Sequence, residues 1–328
     1  MSWRLSTRRT CVSNKGLRRK RRTSRGGSME IRTFDQLLEE AKKRGRKKLA
    51  VAFPEEVSLH AALLAHEAGI AVPILVGVPE KIRELLVQAG ADSGAFEIEE
   101  AGSPAEACAV AVALARDDKV DVILKGGAQT AQMLHAVLDK ENGIRASKVL
   151  SECSLYEDTR VRHSLLAVVD GGILIAPTLE EKVEAIRNTV NVYHKLGYEN
   201  PKVAVLAAVE TVTDKMPCTE DAAIIARMWE RGQIKGCVVD GPLALDNAIS
   251  ERAAAIKGLS GPVVGNADIL IVPDIEGGNL LGKSMSYFAG FTSAHVTIGA
   301  RKPVLVPSRA DDGRTKLMSV ALGIVAYY

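Results

Sequence analysis

The segment "EGGNLLGKSM" (276–285) carries a spacing that could bind phosphate: Gly277, four residues, then Gly282, Lys283 and Ser284. It follows the apolar run "ADILIVPDI", which reads as a strand. A strand, a glycine-rich turn and a Lys-Ser pair opening a helix suit an anion, because unpaired N–H groups at a helix start point at it. A second candidate is the pair Ser308 and Arg309, directly after the apolar run "PVLVP". A guanidinium grips phosphate through two parallel charge-assisted bonds, and a neighbouring hydroxyl can donate to a reacting oxygen or sulfur. The plain alternative is a turn with a solvated arginine. A third is "LKGGAQT", with Lys125, Gly126, Gly127 and Thr130 between a strand and the next helix. Backbone amides left open there would receive anionic oxygens, and the plain alternative is a tight turn. Arg145 in "NGIRASK" is a further phosphate ligand or a surface ion pair of little consequence.

The elements around these residues alternate. "FDQLLEEAKKRG", "VSLHAALLAHEAG", "PEKIRELLVQAG" and "PAEACAVAVALARD" read as helices, and "KLAVAF", "AVPILVG" and "VDVILKGG" as strands. Near residues 148–176 the rhythm changes to two strand-like runs, "KVLSECSLYE" and "HSLLAVVDGGILIAP", which predicts an antiparallel insertion or a crossing between domains. Thr178 and Glu181 then make a capping box for a helix closed by Gly197. Strands "KVAVLAAV", "GCVVDG", "ADILIVPD", "VTIGA" and "PVLVPS" follow, with helices at "EDAAIIARMWERG", after Asn279 and from about Thr315. This is an α/β chain with a largely parallel sheet.

That order argues against nucleotide hydrolysis. A P-loop domain opens with its phosphate loop and then needs a strand ending in a metal-binding Asp. Only 44 residues follow Ser284, and neither "VTIGA" nor "PVLVPS" ends in a carboxylate.

Composition narrows the class further. The chain has 328 residues, 47% of them hydrophobic, enough for one large or two moderate domains. Its net charge of +3 includes ten basic and no acidic residues in 1–28, and subtracting ten leaves −7 for the rest. Residues 1–28 lack aliphatic periodicity and read as a basic extension outside the folded body, followed directly by Met29. A transit peptide and a nucleic-acid-binding arm are the alternatives, the latter with only Trp3 to stack on a base. Deleting the segment is expected to leave activity and stability nearly unchanged. No apolar stretch is long enough to cross a bilayer. Five scattered cysteines and no C-x-x-C pair suit a reducing cytoplasm. Six histidines without H-x-x-x-H spacing predict no metal site.

Taken together, "LKGGAQTAQMLHAVLDKENGIRASKVLS", "VVDGGILIAPTLEEK", "TDKMPCTEDAA", "VDGPLALDNAIS", "GNADILIVPDIEGGNLLGKSMSYFAG" and "PVLVPSRADDGRTKLMSVAL" resemble the phosphate acetyltransferase and phosphate butyryltransferase family, the butyryl branch more closely. The resemblance covers residues 29–328. It implies exchange of an acyl group between coenzyme A and inorganic phosphate, with butyryl-CoA preferred and acetyl-CoA as the alternative. It also implies an isocitrate-dehydrogenase-like fold of two domains around a cleft, the chain dividing into 29–150 with 290–328, and 151–289. A homo-oligomer, commonly a dimer, is expected, with acyl-CoA and phosphate as substrates and no bound cofactor. A dehydrogenase on the same fold would need paired metal-binding aspartates, which are not evident.

The resemblance recasts the opening motif. Related sequences carry P-D-x-x-x-G-N and then a lysine, matched by Pro273, Asp274, Gly278, Asn279 and Lys283, whereas Gly282 lies outside that pattern. It makes the Ser308-Arg309 pair central to catalysis and offers Met216 and Pro217 as lining for the acyl pocket. Two positions depart from it: relatives usually have arginine at His135, and the acetyl branch has a proposed base, an aspartate, at Thr315. Asp311 and Asp312 are possible substitutes, so the base stays unassigned.

Overall fold

The computed structural model describes residues 29–159, 163–308 and 311–328, and the basic segment 1–28 lies outside the described residues. Among the described residues eleven strands form one sheet: β1 (Lys47–Ala52), β2 (Ala71–Gly77), β3 (Glu97–Glu100), β4 (Val122–Lys125), β5 (Ser151–Asp158), β6 (Ser164–Val169), β7 (Lys202–Leu206), β8 (Val238–Leu243), β9 (Ile269–Ile271), β10 (Ser293–Ile298) and β11 (Val304–Leu305). Their order is β3-β2-β1-β4-β11-β10-β5-β6-β9-β7-β8. The two wings are parallel throughout, from β3 to β11 and from β6 to β8. Between them β11, β10, β5 and β6 pair antiparallel in turn. The change of rhythm in the sequence near residue 150 marks this centre.

Among the described residues eleven helices clothe the sheet: α1 (Phe34–Lys43), α2 (Glu56–Glu67), α3 (Pro79–Gln88), α4 (Pro104–Arg116), α5 (Thr130–Leu138), α6 (Leu179–Lys195), α7 (Pro217–Glu230), α8 (Leu245–Ile249), α9 (Glu251–Ile256), α10 (Ile275–Tyr287) and α11 (Gly313–Tyr327). Strand alternation sorts the core into layers. Leu49, Val51, Leu155, Val203 and Val205 face a layer shared with α1, α2, α6, α7 and α11. On the opposite face Ala50, Ala52 and Ile123 pack with α4 and α5, and Leu166, Val168, Ala204 and Leu270 form a third cluster. Helix α6 has the expected start: Thr178 Oγ1 accepts from the Glu181 amide at 3.3 Å and Glu181 Oε2 from the Thr178 amide at 2.8 Å.

Three elements escaped the sequence reading. The strand β3, "EIEE", is a half-exposed edge with too little apolar content to register. Helices α8 and α9 are too short to show a period. Helix α10 starts at Ile275, before Asn279, because Asp274 caps it: Asp274 Oδ1 accepts from the Gly277 amide at 2.8 Å. The G-x-x-x-x-G spacing therefore lies inside a helix whose first turn is already capped. Its amides are not free to cradle a phosphate, which corrects the P-loop alternative.

Candidate active site

The antiparallel centre of the sheet carries a cleft of about 540 Å³. Its floor is β5 and β10, and its walls come from α10, from residues 171–173 after β6, and from residues 306–308 and 311–312 between β11 and α11. Alternation along β5 turns Glu152, Ser154 and Tyr156 toward the cleft and Cys153 and Leu155 into the core. Opposite them on β10, His295 is in register with Ser154, and Ser293 with Tyr156.

These side chains form a hydrogen-bonded chain. The Ser154 hydroxyl donates to Glu152 Oε2 at 3.1 Å and lies 2.9 Å from His295 Nδ1. His295 Nε2 lies 3.0 Å from Ser293 Oγ. With the Ser154 hydrogen committed to Glu152, His295 donates from Nδ1 to Ser154 Oγ and accepts from Ser293 at Nε2. Burial holds His295 below the usual histidine range, which keeps the ring neutral. Burial, then the charge of Asp170, pushes Glu152 up to about 8. The Asp170 carboxylate accepts backbone amides from Glu152 at 2.6 Å, Gly172 at 2.7 Å and Ile173 at 2.8 Å. Burial raises its carboxyl too, against those three bonds.

Helix α10 comes close to this floor because it has glycines there. A Cβ at Gly278 would collide with the Asp170 carbonyl, and one at Gly282 with the Tyr156 hydroxyl. The glycine that completed the P-loop spacing is thus a seat for a tyrosine. Asn279 Nδ2 donates to the Gly171 carbonyl at 3.1 Å, joining α10 to the loop after β6. Lys283, one turn further on, lines the cleft and opposes the rise at Glu152.

Ser308 follows β11 and lines the same cleft. Its amide donates to Asp311 Oδ2 at 2.8 Å, and Lys316 Nζ donates to the Asp311 carbonyl at 2.6 Å. Asp312 caps α11, accepting from the Thr315 amide at 2.7 Å. Of the two carboxylates considered as bases, Asp311 thus holds the Ser308 amide and Asp312 starts α11. Arg309 lies outside the described residues.

Of the "LKGGAQT" loop, Thr130 lines the cleft. The Gly126 amide donates to the Ala52 carbonyl at 2.9 Å and the Gly127 amide to the Phe53 carbonyl at 2.7 Å. Phe53 adopts φ +55°, which turns its carbonyl toward the loop, and a Cβ at Gly126 would strike it. Lys125 is buried, its ammonium donating to the Gly126 and Ala128 carbonyls at 3.0 Å each. These amides and this lysine hold the turn and are not open to substrate oxygens. Arg145 is exposed, beside Ala300 on an isolated bridge, and does not line the cleft. Met216 and Pro217, at the start of α7, are also outside its lining. His135 borders a separate cavity of about 430 Å³ between α4 and α5.

Sequence reasoning missed Glu152, Ser154, Tyr156 and His295. The signal was present: in "SECSLYED" every second residue is polar or aromatic within an otherwise buried strand. One-sided polarity on a central strand marks a lined cavity rather than solvent.

Open α/β sheets bind their ligands at a switch point outside the strand ends, and here a polar cleft lies at the junction of two parallel wings, as in an α/β enzyme. The same fold appears in a branched-chain phosphotransacylase from Enterococcus faecalis, which superposes with a TM-score of 0.75 at 27% identity over 86% of this chain and 99% of that one. The chain belongs to the phosphate acetyl/butaryl transferase family, whose model matches residues 101–324. It is 42% identical over 293 residues to the phosphate butyryltransferase of Clostridium acetobutylicum, covering 89% of this chain and 97% of that protein. It is 39% identical over 290 residues to the phosphate acetyltransferase of Rhizobium meliloti, covering 88% and 92%. The expected transfer of an acyl group between coenzyme A and phosphate is borne out at the level of the family.

Proposed function

We propose that the protein exchanges a butyryl or similarly short branched acyl group between coenzyme A and inorganic phosphate in this cleft. The observation that carries the reading is the convergence of Ser308, Thr130, Gly278, Asn279 and Lys283, drawn from three separate stretches of sequence, on one cavity. A thioester and an acyl phosphate are both activated acyl groups, so the exchange needs neither ATP nor a resident cofactor. In this reading phosphate sits against Ser308 and Arg309, with Lys283 supplying a further positive charge. Donors at that place stabilise the oxyanion of the tetrahedral intermediate. Arg145, a candidate phosphate ligand in the sequence, stands off the cleft and has no part in this reading.

We also read the wings as two domains of an isocitrate-dehydrogenase-like fold. Residues 29–150 with 290–328 supply β3 through β10 of the sheet order, 151–289 supply β5 through β8, and the chain passes between the sets at β5 and at β10. A homo-oligomer in the cytoplasm completes the reading, supported by the family and by four free cysteines among the described residues.

The test is thiol release from butyryl-CoA on addition of phosphate, followed with a chromogenic disulfide in EDTA. Phosphate-dependent release is expected. Release only with ATP or added metal overturns the reading. Side-by-side kinetics should favour butyryl- or isobutyryl-CoA over acetyl-CoA by ~10- to 100-fold in kcat/KM, since each added methylene in a fitted pocket contributes ~1 kcal/mol. A maximum at acetyl moves the assignment to the acetyl branch.

A further inference from the structure

Resting on this acyl-transfer reading, we infer that Glu152 is the acid–base group of the exchange, giving a proton to the coenzyme A sulfur in one direction and taking it back in the other. The cleft needs such a group. Thr315 occupies the position where an aspartate was expected, and its hydroxyl does not ionise. The other carboxylates near the floor anchor backbone amides: Asp311 that of Ser308, Asp312 that of Thr315, and Asp170 those of Glu152, Gly172 and Ile173. Glu152 differs in what it holds: its carboxyl anchors no backbone amide among the described residues, and it accepts from the Ser154 hydroxyl on the cleft floor. A proton can therefore come and go there without releasing a turn or a helix cap.

The surroundings set when that proton moves. Burial, then Asp170 after β6 and, more weakly, Asp311 before α11 disfavour the carboxylate, and the Ser154 hydrogen bond and Lys283 on α10 favour it. On β5, Tyr156 and Cys153 are held in their neutral forms by burial, and on β10 His295 is held neutral. The resulting value of about 8 lies in the range where a free thiol also titrates, ~8.5, which is the match a proton partner for sulfur needs.

In the direction of phosphorolysis, a phosphate oxygen attacks the thioester carbonyl, the C–O bond forms, the C–S bond breaks and its electron pair goes to sulfur. The sulfur takes the Glu152 proton, and the carboxylate recovers a proton from the phosphate, whose hydrogen is lost as it becomes the acyl phosphate. In thioester synthesis the Glu152 carboxylate removes the thiol proton first.

The experiment compares wild type, Glu152→Gln and Glu152→Asp in both directions between pH 6 and 9.5, with circular dichroism and melting to confirm folding. Wild-type phosphorolysis should fall above about pH 8 and thioester synthesis should fall below it. Glu152→Gln should lose ~10²-fold or more in kcat in both directions, the usual contribution of a positioned acid or base. Glu152→Asp should keep a measurable rate with its pH limb displaced. If Glu152→Gln retains the wild-type rate and both limbs, or if the wild-type limbs fall on the same side in both directions, the assignment is overturned while acyl transfer stands. A wild type with no phosphate-dependent thiol release overturns the function and this role together.

Discussion

The loop after β4 and the antiparallel pair β5 and β10 both carry polar groups into the interior of the molecule, yet they do different work. In the loop, Lys125 and the Gly126 and Gly127 amides spend their hydrogen bonds on backbone carbonyls, two of the four on the end of β1. In the pair, Glu152, Ser154, His295 and Ser293 bond to each other along the cleft floor. A glycine pair after a strand has the look of an anion loop, but its donors can be consumed by the neighbouring strand. A carboxylate in the middle of a strand looks like a surface residue, but a central strand has no surface, only a cavity.

The comparison can be broken first at Ser308, which borders the floor. Ser308→Ala should lower kcat/KM by ~10² to 10³, the scale of losing a donor aimed at developing charge, with the melting temperature unchanged. An unchanged rate moves the chemistry away from this cleft. The same loss is expected for Arg309→Ala.

The loop predicts the reverse pattern. Gly126→Ala drives a methyl group into the Phe53 carbonyl, so it should destabilise by ~2 to 3 kcal/mol and lower the melting temperature by several degrees. Turnover per folded molecule should change little. A variant as stable as wild type but inactive would make the loop part of the chemistry after all.

Next is the pH dependence of stability. The Glu152 carboxyl titrates near 8 in the folded chain and near its usual 4.5 in the unfolded one. Between those values the unfolded chain has released a proton that the folded chain keeps, so stability declines as pH rises. Glutamine at that position has no such proton. The melting temperature of Glu152→Gln relative to wild type should therefore rise between pH 5 and pH 8, by an amount on the order of a few degrees. A constant difference would mean that Glu152 is ionised throughout.

The smallest effect is expected at Arg145. An exposed cation outside the cleft has no part in the exchange, so Arg145→Ala should leave both kcat and KM for acyl-CoA in place. A fall in kcat would bring Arg145 to the reacting phosphate.

The parallel wings were legible because apolar runs such as "AVPILVG" and periodic helices such as α6 announce themselves without help from the rest of the chain. Ser308 was legible by its place after a strand, Thr130 by its place between a strand and a helix, Lys283 by the glycine-lysine-serine spacing, and Gly278 and Asn279 by resemblance. What stayed hidden depends on who lies next to whom. Nothing in "SECSLYED" says that His295, far along the chain, is its neighbour, or that burial and then Asp170 raise Glu152. Nothing in "GGNLLGKS" says that Gly282 yields space to Tyr156 rather than to a phosphate. The start of α10 was misjudged because Asp274 was read as the end of a strand, not as a cap.

The floor of the cleft has both its strands paired on both sides, β5 between β10 and β6 and β10 between β11 and β5, in the middle of an eleven-stranded ladder. Amides so placed exchange with solvent only when the whole domain opens, whereas the turns at 126–129 and 311–312 exchange through local fluctuations. The acid–base group thus rides on the slowest-opening part of the molecule. Changes in what the enzyme accepts are then expected at the rim, at residues such as Phe291, Ser286 and Tyr287, where side chains can be exchanged without reopening the ladder beneath them.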